Sequence, residues 1–96
     1  MDKKAYKLIK HDKKKYMIIT PTGKKIGFGA VGYEDYTMHK DEERKQRYVA
    51  RHKKHEDWHN KNTAGFWSKN LLWNKPTLKE SIEDTEKKFN IKIHRA

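Results

Sequence analysis

The most apolar stretch of this chain is one short block, Phe66, Trp67, Leu71, Leu72 and Trp73, and the rest of the chain has to fold around it. Only 33% of residues are hydrophobic and 39% are charged, so the core must be lean. Aromatic side chains bury the most area per residue, and at 11% of the chain they make a packed domain attainable. A length of 96 residues supports one small core and not two. A full dinucleotide-binding fold, a kinase and a TIM barrel are excluded. No cysteine is present. That removes disulfide staples and thiolate metal sites, and predicts an intracellular, nuclear or particle-enclosed protein. The apolar runs Tyr16 to Ile19 and Leu71 to Trp73 fall far short of the ~18 residues of a membrane span. The lysine-rich N-terminus lacks the apolar stretch of a signal peptide. A soluble chain is expected.

Around the block, the pattern predicts an α+β domain. Tyr16-Met17-Ile18-Ile19-Thr20 is β-branched and aromatic, and Thr20-Pro21-Thr22-Gly23 supplies turn chemistry. Lys24 to Gly29 then alternates, so the two runs read as an antiparallel hairpin. Either Tyr16 and Ile18 or Met17 and Ile19 face the core with Ile26 and Phe28. Asp41 to Lys54 reads as a helix, with Asp41/Lys45 and Glu43/Arg47 at the favoured i,i+4 spacing and Thr37 or Asp35 as its cap. Thr63 caps a short helix from Ala64 to about Trp73, and Pro76 stops it. Thr77-Leu78-Lys79-Glu80 is a capping box, after which Leu78, Ile82, Thr85 and Phe89 recur at helical spacing. Ile91-Lys92-Ile93 alternates and is read as a strand returning beside the hairpin. The expected core is Ile18, Phe28, Trp67, Leu71, Trp73 and Ile82, in a hairpin sheet on about three helices.

Charge sets the functional class. Lys+Arg 24 against Asp+Glu 13 gives a net charge of +11, and such a balance attracts polyanions. The first fifteen residues hold seven Lys against two Asp, the most basic segment. They read as a partly flexible arm (1–15), disordered near Met1, ahead of a domain at 16–96. Against that, Tyr6, Leu8 and Ile9 interrupt the lysines and suit a lysine-blunted edge strand.

Motifs for other chemistry fail on context. Gly27-Phe28-Gly29-Ala30-Val31-Gly32 matches G-x-G-x-x-G, but the chain is too short for the βαβ unit that a dinucleotide cradle needs. Positive-φ turns and close packing explain these glycines better. His55-Glu56-Asp57-Trp58-His59 matches H-E-x-x-H, with His52 as a conceivable third ligand. Lys53 and Lys54 repel a dication, and so small a domain cannot build the surrounding cleft. Ser68 and Ser81 lack a nucleophile elbow. No enzyme, cofactor, metal or small-molecule substrate is expected. Trp58, Phe66, Trp67 and Trp73 suit stacking on bases only if exposed, and core packing explains all but Trp58.

One string is distinctive: Gly32-Tyr33-Glu34-Asp35-Tyr36-Thr37, then His39-Lys40-Asp41, Arg44-Lys45, Tyr48, Arg51-His52, Trp58, Thr63 to Ser68, Leu71-Leu72-Trp73, Lys75-Pro76-Thr77 and Ser81-Ile82. It resembles a family of small basic proteins encoded by giant nucleocytoplasmic DNA viruses, from about Tyr16 to Phe89. The resemblance implies a virion-packaged protein, present in the host nucleus or cytoplasmic viral factory during infection. The expected function is sequence-tolerant, architectural binding of double-stranded DNA, without a base-reading module. The expected contacts are Lys3, Lys4, Lys7, Lys10, Lys13, Lys14 and Lys15 of the arm, Lys24 and Lys25 beside the turn, and Lys40, Arg44, Lys45, Arg47, Arg51, His52 and Lys54 around the first helix. The alternative is a minor capsid component that contacts itself or other virion proteins. A continuous basic face favours DNA; charge scattered around an apolar patch favours protein packing.

Overall fold

A computed structural model describes residues 3–96, so the expected disorder at Met1 lies outside the described residues. The protein is an α+β domain in which four strands form one mixed sheet: β1 (Ala5–Lys10), β2 (Lys14–Ile19), β3 (Lys25–Ala30) and β4 (Lys92–Arg95), in the order β3-β2-β1-β4. β1 and β3 each pair antiparallel with β2, and β4 pairs parallel with β1. The helices are α1 (Tyr36–His39), α2 (Glu42–His52), α3 (Ala64–Trp67) with a π-helical continuation (Ser68–Leu72), and α4 (Leu78–Phe89).

Local chemistry accounts for the turns. The Gly23 N–H donates to Thr20 O at 2.9 Å, and Gly23 has φ +91°, so the turn uses Pro at its second position and Gly at its fourth. Between β1 and β2, His11 Nδ1 accepts from the N–H groups of Lys13 and Lys14 at 3.1 and 3.0 Å. Thr77 caps α4 as the spacing predicts, with Glu80 N donating to Thr77 Oγ1, while the Glu80 carboxylate accepts from the Thr77 hydroxyl in place of its backbone N–H. Asp41 itself caps α2, and Asp35 caps the separate turn α1.

The expected boundary at residue 15 falls inside the sheet. β1 is an inner strand, neither an arm nor an edge, and Tyr6 and Leu8 are buried. The lysine count hides this because a strand alternates: Lys7 can stay in water while its neighbours fill the core. The returning strand β4 docks beside β1, with β1 and β2 separating it from β3.

Tyr16 stacks on Phe28 with centroids 6.0 Å apart, and Ile18 is fully buried, so this register of β2 faces inward. The helices bring Phe66, Trp67, Leu71, Leu72 and Ile82 against that sheet face. Five of the six expected core residues are buried there; Trp73 is half-buried at the edge. Its indole lies parallel to the Tyr48 ring at 4.3 Å, and His52 covers the other side of Tyr48 at 4.0 Å. That stack fastens α2, whose one fully buried residue is Tyr48. Burial pushes the Tyr48 phenol well above the ordinary tyrosine range.

Candidate nucleic-acid interface

Strand alternation decides which side chains leave the core. Ala5, Lys7 and Ile9 of β1, Met17 and Ile19 of β2, Lys25 and Gly27 of β3, and Lys92 and His94 of β4 point away from it. The register places Lys7 level with Ile19 on one side and His94 on the other, and Ile19 level with Lys25. Ile9 pairs with Met17, Met17 with Gly27, and Ala5 with Lys92. The stem of Lys14 lies alongside Gly27, 3.1 Å from where a Cβ there would stand. Because the helices pack on the opposite face, Lys7, Lys25, Lys92 and His94 are exposed, while Ile9, Met17 and Ile19 are half-buried between them.

Among the described residues no Asp or Glu occurs in any strand. The acid nearest to them in the hairpins, Asp12, sits in the β1–β2 turn beside His11 at 3.5 Å. Among the described residues the open sheet face is therefore a lysine-bordered surface with a narrow apolar centre and no acid among its strand side chains. A carboxylate does reach a strand backbone, that of Glu86 of α4, which accepts from Ile93 N of β4 at 2.9 Å.

The other expected contacts divide by what they touch. Lys15 Nζ lies 2.5 Å from Asp35 Oδ2, a carboxylate that also accepts from Thr37 N. Arg44 meets Glu34 at 3.4 Å and Arg47 meets Glu43 at 3.8 Å. Lys45 stands 4.9 Å above the Tyr36 ring. Lys40 Nζ donates to Thr37 O and Lys24 Nζ to Asn62 O. His52 turns inward, with Nδ1 2.9 Å from Tyr48 O. Lys3, Lys4, Lys10, Lys13, Arg51 and Lys54 are exposed. Lys92 and His94 were not among the expected contacts, although their alternation around Ile93 is the signal that finds them once β4 is placed.

A groove of about 540 Å³ runs between edge strand β3 and α2, lined by Lys14, Lys15, Arg44, Arg51 and His52 but also by Glu34, Asp35 and Glu56. Two of its cations, Lys15 and Arg44, are paired with its acids Asp35 and Glu34, so it lacks the single sign of the sheet face. The glycine motif lies along it. Gly29 (φ +81°) and Gly32 (φ +89°) serve as positive-φ positions. The helix that follows is one turn long, and its N-cap is the carboxylate of Asp35. The H-E-x-x-H segment is not helical: α2 ends at His52, and the Glu56 carboxylate accepts from Trp58 Nε1 at 2.8 Å. Among the described residues, no three His, Asp or Glu side chains converge as metal ligands. Trp58 is half-buried with Lys69 Nζ 5.2 Å above its ring. Among the described residues no helix is long and apolar enough to cross a membrane.

The profile of a family of unknown function, DUF5754, matches residues 7–52, from β1 through α2. No curated protein and no solved structure matches the chain. Over that half of the fold, which contains Lys7, Lys14, Lys25 and the whole apolar centre of the open face, the chain is similar to this family.

Proposed function

We propose that this protein binds double-stranded DNA without sequence preference and without catalysis, placing the open face of its sheet against the phosphates. The observation that carries the reading is the acid-free face bordered by Lys7, Lys14, Lys25 and Lys92. Lysines held on a rigid sheet neutralise phosphates and release counterions, which supplies affinity independent of base sequence. The resemblance to small basic proteins of giant DNA viruses supports a genome-packing role inside the virion. A second reading, a structural component of the particle, is favoured by Val31, Tyr33 and Met38, large apolar side chains left exposed beyond the end of β3.

Fluorescence anisotropy with a labelled duplex at several salt concentrations tests the proposal. Engaging roughly 4 to 6 phosphates gives a log–log salt slope of about −3.6 to −5.4. Lys7→Gln with Lys25→Gln should flatten that slope by about 1.8. Lys79→Gln with Lys87→Gln, exposed on α4 and equal in charge change but off the face, should leave it unaltered. Unrelated duplex sequences should bind within a factor of a few of each other. No binding at low salt would favour the particle-component reading.

A further inference from the structure

We propose that the open sheet face enters the minor groove and that Met17 is a wedge between base pairs, so that binding bends the duplex. This rests on the DNA-binding reading above and assigns its geometry. Phosphates explain the lysines of the face but not its centre, where Ile9, Met17 and Ile19 are half-buried yet outside the core cluster that the helices cover. Proteins that kink DNA from the minor groove insert side chains of this kind between base steps.

The arrangement suits that task. Lys7 and Lys25 flank Ile19 from the neighbouring strands, about 9.6 Å apart across two strand spacings. Long side chains at that separation can reach the two backbones bordering a groove about 6 Å wide while Ile19 sits between them. Met17 pairs with Gly27, which puts no side chain of β3 beside its flexible thioether stem; only the pliable stem of Lys14 lies alongside that glycine. Met17 and Ile19 project about 6.8 Å apart along one strand, roughly two steps of the 3.4 Å duplex repeat. The rival modes lack their parts. Among the described residues the face carries no Arg, Asn or Gln to read base edges in the major groove, and the lysines, which can also contact guanine there, flank its apolar centre instead of occupying it. It has no Phe, Tyr or Trp on which single-stranded bases would stack.

The test is fluorescence energy transfer between dyes at the two ends of a short duplex with a central flexible TA step. Saturating protein should raise transfer by an amount matching a bend of about 20–90°, and netropsin, which occupies the minor groove, should compete with binding. Met17→Ala should bind with the wild-type salt slope yet leave the duplex straight, and Met17→Leu should restore the bend. The retained slope, with an unchanged circular dichroism spectrum, shows that the alanine variant is folded. Wild-type binding that leaves transfer unchanged, or Met17→Ala bending as strongly as wild type, would overturn the wedge while leaving the DNA-binding reading intact. Absence of binding at low salt would instead defeat the reading beneath it.

Discussion

Removing the Lys15 ammonium should cost stability rather than DNA affinity. Asp35 is 4% exposed at its side chain and Lys15 17%, and the carboxylate caps α1 through Thr37 N while holding Lys15 Nζ at 2.5 Å. Lys15→Met leaves that carboxylate buried without its cation. Breaking a fully buried pair costs about 3–5 kcal/mol. Here Asp35 keeps its hydrogen bonds to Thr37, and the shortened side chain admits some water, so about 2–3 kcal/mol is expected. At about 4–8 °C per kcal/mol for a domain of this size, the melting temperature should fall by roughly 10–20 °C, read by circular dichroism. Adding Asp35→Asn removes the stranded charge and keeps an amide oxygen able to cap α1. The double variant should therefore recover most of the loss. Below its melting temperature Lys15→Met should retain the wild-type DNA salt slope. Melting within a degree or two of wild type, or no recovery in the double variant, would refute the reasoning.

Three further outcomes follow from the packing. Tyr48→Ala removes the ring between Trp73 and His52. It should weaken the docking of α2 by about 3–5 kcal/mol, seen in hydrogen exchange as lost protection over residues 42–52 with the sheet amides still protected. Gly29→Ala should destabilise more than Gly23→Ala, although both have positive φ, because its Cβ would stand 2.8 Å from Leu72 Cδ1 whereas that of Gly23 meets nothing within 4 Å; urea melts should give about 1–3 kcal/mol of strain at Gly29 before the clash is added. The Asn74 amide donating to Asp84 at 2.8 Å holds that carboxyl below the ordinary aspartate range, with Lys88 reinforcing it. A depressed folded value means stability that is present above the unfolded value of 3.8 and lost as pH falls below it. Asp84→Asn should flatten this acid limb in melts taken across pH.

Elements with a local signature were legible in the sequence. The hairpin turn, the capping box and the apolar block around Trp67 each depend on residues close together along the chain, and each appears where its chemistry places it. What escaped depends on long-range pairing. β1 looked like a solvated arm because seven lysines outweigh Tyr6, Leu8 and Ile9 in a count, while Tyr6 and Leu8 are buried because β2 and β4 flank their strand and Trp67 packs on its inner face. Lys92 joins the same face as Lys7 through a parallel pairing that no local window reveals. Of the α2 cations, Arg47 meets Glu43 at the predicted spacing, whereas Arg44 and Lys45 find Glu34 and Tyr36, which lie outside that helix, and Asp41 caps α2 instead of pairing with Lys45.

Charge sorting between the two kinds of secondary structure explains why a modestly mixed composition yields a single-sign surface. On a helix, an acid one turn away can meet each base, as Glu43 meets Arg47 and Asp84 meets Lys88. Asp35 and Asp41 serve as caps, and Glu42, Glu43 and Glu80 lie in helix first turns, where negative charge complements the helix dipole. Strands have no such local partners, since neighbours on one face come from other strands, and here none of those neighbours is acidic. Lysines placed directly opposite each other would destabilise the sheet. The register avoids this by setting Ile19 between Lys7 and Lys25, and Ala5 opposite Lys92. The same apolar residues that keep the lysines apart form the centre of the open face. One spacing thus makes the charge tolerable to the folded chain and, in the proposed complex, sets base pairs against the centre and phosphates against the rim.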